Sequence, residues 1–163
     1  MKSAKLQKSS SQKLVSAISK IVLGWREYVD LPQLKIPDIK AKIDTGARTS
    51  SLHAEGLRRE LINNKEWIVF FVTVEKDGKI KRVNCKAPLL MTKKIKSSTG
   101  HAEVRPVILT QIKMGDQVFE TPITLTDRSE MGFKMLIGRK TLKSKFIVDC
   151  AKSFQLKKLE TKE

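Results

Sequence analysis

Acidic residues are scarce in this chain, and so are cysteines and aromatic rings. The two cysteines, Cys85 and Cys150, are too few for a disulfide framework and neither has a partner at metal-ligand spacing, so both are expected as buried free thiols. Aromatic residues make up 6% of the sequence, which argues against a base-stacking platform for nucleic acid. No apolar run approaches the length needed to cross a bilayer, and no membrane association is expected. The first twenty residues hold five lysines and no acid, but Lys20 interrupts the apolar patch Leu14 to Leu23 and no small-residue cleavage site follows. The expected address is therefore cytoplasmic. There is no H-E-x-x-H, and the scattered His53, His101, Cys85, Asp127 and Asp149 form no clustered ligand set; each histidine reads as an ordinary loop or surface residue. There is no G-x-x-x-x-G-K-[ST] loop for a nucleotide phosphate either. Neither a metal nor any other cofactor is expected.

What is abundant is positive charge: 33 basic residues against 17 acidic ones, a formal net charge of +16. A field of that sign draws nucleic acid, an anionic membrane surface or an acidic polypeptide, and charge alone does not choose among them. At 163 residues with 40% hydrophobic content, the chain suits one soluble domain with a real core. The division expected is a basic, flexible arm over 1–20, a domain over 21–156 and a polar tail over 157–163.

Within the domain the patterning is that of strands. Ile21 to Val29 reads as a first strand closed by Leu31-Pro32, and Ile36 to Ile43 as a second. Ser50 to Leu61 fits a strand with a turn at Gly56. Trp67 to Val74 is rich in β-branched and aromatic residues, and Asp77-Gly78 marks a two-residue hairpin into Ile80 to Lys86. From Lys76 to Lys96 there are eight basic residues and one acid, a cationic ribbon followed by a turn at Ser97 to His101. Arg105 to Met114 and Gln117 to Thr126 form a second hairpin around Gly115-Asp116, and Ser129 to Gly132 is loop. Met135 to Ile137 reads as a buried strand, Gly138 to Lys143 as a short helical turn, and Phe146 to Val148 with Ser153 to Leu156 as closing strands. Short strands at regular spacing predict an all-β fold closed into a barrel, with one short helix.

The chemistry centres on Ile43-Asp44-Thr45-Gly46-Ala47. A strand ending in Asp-Thr-Gly places a carboxylate on a tight turn, where Gly46 permits the bend and Thr45 offers a hydroxyl. About ninety residues later comes Met135-Leu136-Ile137-Gly138-Arg139. Taken with Gly24-Trp25-Arg26-Glu27, Ala41 to Ala54, Arg105-Pro106-Val107-Ile108 and Leu125-Thr126-Asp127-Arg128, these segments resemble a bacterial family of retropepsin-like aspartic peptidases. That family also carries the label ATP-dependent zinc protease, for neither half of which a motif is present. The resemblance runs from about Ile21 to Phe154. It implies a single-domain retropepsin-like barrel in which Asp44 is the catalytic acid, while Thr45, Gly46, Ala47, Gly138 and Arg139 support the active-site loops.

Aspartic peptidases use two carboxylates that share a proton, because like charges that close cannot both ionise. With one Asp-Thr-Gly per chain, the resemblance implies a homodimer that contributes Asp44 twice. Arg48 follows the motif where retroviral enzymes carry an acid. It could favour the ionised carboxylate, clamp an acidic substrate side chain, or simply face solvent. Asp127 is a candidate second acid within one chain, against the commoner reading of a salt-bridged turn. The ends of the chain, which tie retroviral dimers together, look polar and loose here. Members of the family are linked to ATP-grasp ligases that add glutamates to protein tails, which implies peptidase action on acidic, glutamate-rich chains. Arg48, Lys79, Lys81 and Arg82 are then the expected substrate-binding residues. The alternative is a catalytically inactive barrel that binds an acidic partner or RNA.

Overall fold

The computed structural model describes residues 20–96 and 99–156. The expected arm lies outside these residues apart from Lys20, as do the tail 157–163 and two residues of the Ser97 to His101 turn. The elements are β1 (Ile21–Leu23), β2 (Arg26–Leu31), β3 (Ile36–Ile43), β4 (Ser50–His53), β5 (Glu55–Ile62), β6 (Lys65–Lys76), β7 (Lys79–Lys96), β8 (Ala102–Met114), β9 (Gln117–Thr126), β10 (Met135–Ile137), α1 (Arg139–Leu142) and β11 (Phe146–Val148). A single 3-10 turn, Pro32–Leu34, separates β2 from β3.

Nine strands hydrogen-bond in the order β2-β3-β10-β4-β9-β8-β7-β6-β5, and an added β2–β8 pairing curls the first six into a closed barrel. The closing pair is Asp30 with Lys113. Leu31, Leu52, Ile108, Ile112, Ile123, Leu125, Met135 and Ile137, none more than marginally exposed, fill the interior. The long strands β7 and β8 leave the barrel together as a ribbon, paired from Leu89 with Ile108 to Lys96 with Ala102. The other half of β7 pairs with β6, whose hairpin turns at Asp77 and Gly78, both with positive φ as a two-residue type I′ turn requires.

Three local expectations are corrected. The strand expected over Ile21 to Val29 is broken at Gly24-Trp25, because Gly24 lies against the chain near Lys152, where a Cβ would come within 2.4 Å of the carbonyl oxygen. The strand expected over Ser50 to Leu61 is two strands, interrupted at Ala54. Ser153 to Leu156 is not a strand. It is a turn laid across Glu27, a fully buried carboxylate that accepts hydrogen bonds from the backbone N–H groups of Gly24 (2.7 Å), Gln155 (2.9 Å) and Leu156 (3.1 Å). Arg26 lies between the rings of Trp25 and Phe154, 4.7 and 4.9 Å from their centroids. The segment ending at Leu156 is therefore fastened down, and the Gly24-Trp25-Arg26-Glu27 run is its fastening; the tail expected to be loose, 157–163, lies outside the described residues. β1 and β11 pair with each other in parallel within the chain, Val22 beside Ile147.

Candidate active site

Strands β3 and β10 run parallel, with Ile43 beside Ile137, so both empty into loops at the same end of the barrel. The two loops are laced by backbone bonds: Asp44 N to Ile137 O (2.9 Å), Arg139 N to Ala47 O (2.8 Å) and Lys140 N to Arg48 O (2.9 Å). The Arg139 guanidinium adds bonds from Nη1 to the carbonyl oxygens of Thr45 (3.1 Å) and Gly46 (2.9 Å). Gly138 sits where the loops cross, its N–H donating to Ser50 Oγ at 3.1 Å. Behind it, a buried run of hydroxyls links Ser50 to Thr141 (2.6 Å) and Thr141 to Thr121 (2.8 Å), pinning α1 to the strands below. The structure thus brings together Asp44, Thr45, Gly46, Ala47, Gly138 and Arg139.

The half-exposed Asp44 holds its carboxylate by Oδ1, which accepts from Gly46 N (2.9 Å) and Ala47 N (3.2 Å). Its other oxygen takes no hydrogen bond among the described residues and is free to address a water. Thr45 and Gly46, directly beside it, are exposed.

The cations predicted from sequence are distributed differently. Arg48 follows the loop and is exposed. Lys79, Lys81 and Arg82 are exposed on β7, opposite Lys76, Val74 and Thr73, with the Arg82 guanidinium 3.8 Å from the Phe71 ring centroid. The tip of that hairpin borders a hollow of about 320 Å³ shared with Lys40, Phe133 and Lys134. Of the cations that approach the Asp44 loop, Lys93 belongs to the ribbon from Lys76 to Lys96 noted in the sequence, whereas Arg128 was not named there as a binding residue. Lys93, on the β7–β8 ribbon, donates from Nζ to Thr49 Oγ1 at 3.2 Å, and burial together with Lys140 and Arg48 holds its pKa below the ordinary value. Arg128, just after β9, is lowered by burial and by Arg105, with Asp44 acting in the opposite direction. The signal available was position: Arg105 and Arg128 both lie in segments that carried the resemblance.

Asp127 is exposed and folds back on Ser129, whose N–H at 2.8 Å and hydroxyl keep its carboxyl below the usual range. His53, expected on a loop or the surface, is buried in β4. Its Nδ1 accepts from Arg128 N at 2.8 Å, which puts the ring proton on Nε2, where it donates to Glu55 Oε1 at 3.0 Å. Asp127 Oδ1, 3.5 Å from Nδ1, therefore meets a lone pair and makes no ion pair there. His101 is exposed. Asp149 accepts from Ala151 N and pairs with Lys152, a structural role. Cys85 is buried as expected, whereas Cys150 is exposed because it lies in the turn after β11. Among the described residues no three His, Cys, Asp or Glu side chains gather as a metal would require. No described helix is long and apolar enough to cross a membrane.

A closed barrel with Asp-Thr-Gly on one of two interlaced loops and Ile-Gly-Arg on the other defines the retropepsin-like class. The chain belongs to the RimB-like family, described as retropepsin-like aspartic endopeptidase RimB, whose model matches residues 22–158. It is 37% identical over 134 residues to a probable alpha-L-glutamate ligase of Desulfotalea psychrophila, covering 82% of this chain and 29% of that protein. It is 36% identical over 138 residues to one of Shewanella pealeana, covering 85% and 30%. The chain thus spans less than a third of the length of these curated relatives. Among solved structures, a Legionella pneumophila protein of unknown function superposes with a TM-score of 0.68 at 28% identity, covering 85% of this chain and all of the other.

Proposed function

We propose that the chain is an aspartic endopeptidase that acts as a homodimer on acidic, glutamate-rich polypeptides. One observation carries the reading: Asp44 is held through one oxygen by two backbone N–H groups, with its second oxygen unengaged and Thr45 and Gly46 exposed at its side. A second copy presenting the same face would bring two Asp44 carboxylates together, with the Thr45 hydroxyls available to bond across the two-fold axis. One carboxylate takes a proton from the attacking water while the other donates its proton to the carbonyl oxygen; the leaving amine is then protonated as the tetrahedral intermediate collapses.

The substrate class rests on charge and on kinship. The curated relatives are named probable alpha-L-glutamate ligases, and a domain that shares a chain with glutamate-joining chemistry fits a peptidase for glutamyl bonds. The excess of positive charge, including Arg48 beside the acid and Lys79, Lys81 and Arg82 on the outer hairpin, would draw such a chain. Such a peptidase would work in the cytoplasm, without metal or nucleotide.

The test is incubation of the purified protein with an oligo-glutamate peptide, a neutral peptide and single-stranded RNA. Cleavage of the acidic peptide that persists in chelator and disappears in Asp44→Asn is the expected result. Cleavage by Asp44→Asn at the parental rate would overturn the aspartic mechanism. Tight RNA binding with no turnover of the acidic peptide would favour the inactive binding barrel.

A further inference from the structure

Two like-charged side chains stand directly across the β7–β8 ladder, Lys93 opposite Arg105. Such a pairing destabilises a sheet unless something offsets it. A third cation, Arg128, lies within electrostatic reach of both Arg105 and Asp44. Among the described residues the only carboxylate bonded to any of the three is that of Glu103, whose Oε2 accepts from Arg105 Nε at 2.9 Å. The other oxygen of Glu103 is occupied by the Thr126 hydroxyl at 2.9 Å. Among the described residues no ion pair closes on Lys93 or Arg128; Lys93 donates to Thr49, and Arg128 Nε to the Phe133 carbonyl at 3.2 Å.

All three cations are partly sheltered from solvent, and the Arg105 side chain is only 23% exposed. Arg128 loses hydration without an ion pair among the described residues, and Arg105 shares its one carboxylate with the Thr126 hydroxyl, an arrangement that disfavours the folded state when nothing binds. Burial lowers the pKa of both Lys93 and Arg128, in keeping with a charge held where water screens it poorly. By contrast, Lys79 and Lys81 are well solvated, and solvated charges steer more than they grip.

From this placement we infer that Arg128, Arg105 and Lys93 form a carboxylate-reading subsite beside Asp44, which seats a glutamyl side chain of the substrate next to the bond to be cut. The inference rests on the peptidase reading for the identity of its ligand and deepens it. A guanidinium presents a planar fork that matches a carboxylate, and Arg128 and Arg105 each keep terminal nitrogens without a protein acceptor among the described residues. An uncharged glutamine side chain would leave the cations as uncompensated as before. Selection is therefore for charge rather than for length. The outer hairpin with Lys79, Lys81 and Arg82 acts earlier, by raising the local concentration of acidic chain.

Binding is measured by calorimetry with full-length Asp44→Asn protein, so that turnover does not interfere, using penta-glutamate and penta-glutamine peptides at fixed salt. Arg128→Gln and Arg105→Gln are each expected to weaken penta-glutamate by about 10- to 100-fold, the loss of a charged hydrogen bond. Penta-glutamine binding should not move. Arg128→Lys, which keeps the charge and loses the fork, should fall between. Arg58→Gln, which removes an exposed cation paired with Glu60 on β5, controls for net charge and should change affinity less than about twofold. Because Arg128 also braces Phe133, melting curves accompany each variant, and Arg105→Gln decides the matter if Arg128→Gln does not fold. Folded variants that bind penta-glutamate as the parent does would overturn the subsite, and so would a parent that does not distinguish the two peptides. Selective binding lost in these variants, with no cleavage by the wild-type chain, would support the subsite and defeat the peptidase reading.

Discussion

Gly138 and Thr49 touch so closely that a Cβ on Gly138 would lie 2.8 Å from the Thr49 carbonyl carbon. The obstruction is backbone on both sides, so no side chain can swing away to relieve it. Gly138→Ala should cost about 1–3 kcal/mol. It should also spread the loops that hold Asp44. The check is a lowered urea midpoint at unchanged m-value, together with lost turnover.

Glu27, opposite Ala41 on the neighbouring strand β3, is a second point at which one residue holds two stretches of chain together. Replacing it by alanine strands three backbone donors, those of Gly24, Gln155 and Leu156. The expected loss is about 3 kcal/mol, with the 149–156 segment becoming sensitive to limited proteolysis before the barrel does. A parental proteolysis pattern in that variant would contradict the fastening role.

The two thiols should separate by reactivity. Burial pushes Cys85 up to about 11 from an ordinary 9.0, while Cys150 is exposed. Alkylation at pH 7.5, followed by peptide mass mapping, should label Cys150 and spare Cys85. The linkage has a definite sign: a thiol whose pKa is raised on folding contributes stability that is complete below pH 9 and is lost as the pH rises through about 11. A Cys85→Ser chain should lack that component of alkaline destabilisation.

If the working site takes one Asp44 from each of two copies, specific activity must fall on dilution. Thr45→Ala, which removes an exposed hydroxyl beside the acid, should shift that fall to higher protein concentration while leaving the folded monomer intact. Sedimentation run alongside the assay distinguishes this from a monomer with full activity, in which case Asp127 would be the next residue to substitute.

Neutralising Lys79, Lys81 and Arg82 together should lower the association rate for oligo-glutamate by about tenfold at low salt and leave the dissociation rate nearly unchanged. Near-physiological salt should erase most of the difference, because exposed charges are screened over about 8 Å. Stopped-flow binding across a salt series reads both rates.

The sequence was most legible where local chemistry decides the outcome. Asp77-Gly78 demands a hairpin, β3 spans the stretch from Ile36 to Ile43 anticipated from its alternation, and Ile43-Asp44-Thr45-Gly46 with Ile137-Gly138-Arg139 marks the two loops that meet. What could not be read was tertiary. Nothing local in Ser50, Thr121 or Thr141 says that their hydroxyls join in one buried run. The eight cations from Lys76 to Lys96 look alike in sequence, yet β7 carries Lys79, Lys81 and Arg82 on its outer hairpin and Lys93 to the Thr49 side of the active-site loop. Ser153 to Leu156 alternates like a strand, but the N–H groups of Gln155 and Leu156 go to a carboxylate more than a hundred residues away and that of Phe154 to the Arg26 carbonyl, partners that only the folded chain reveals.

The barrel is sewn shut at one place by a single register pair, Asp30 with Lys113, beside which Gln33 Oε1 takes the Gln111 N–H at 3.0 Å and the Thr110 hydroxyl at 3.3 Å. Mechanically this is a curled sheet with a clasp, since every other junction in the ring is made by a longer run of partners or by flanking loop bonds. Opening the clasp would let β2 swing away from β8 while both keep their other neighbours. β8 runs from this clasp to Arg105, opposite Lys93 of β7, so one strand joins the seam of the barrel to the ribbon whose Lys93 reaches Thr49.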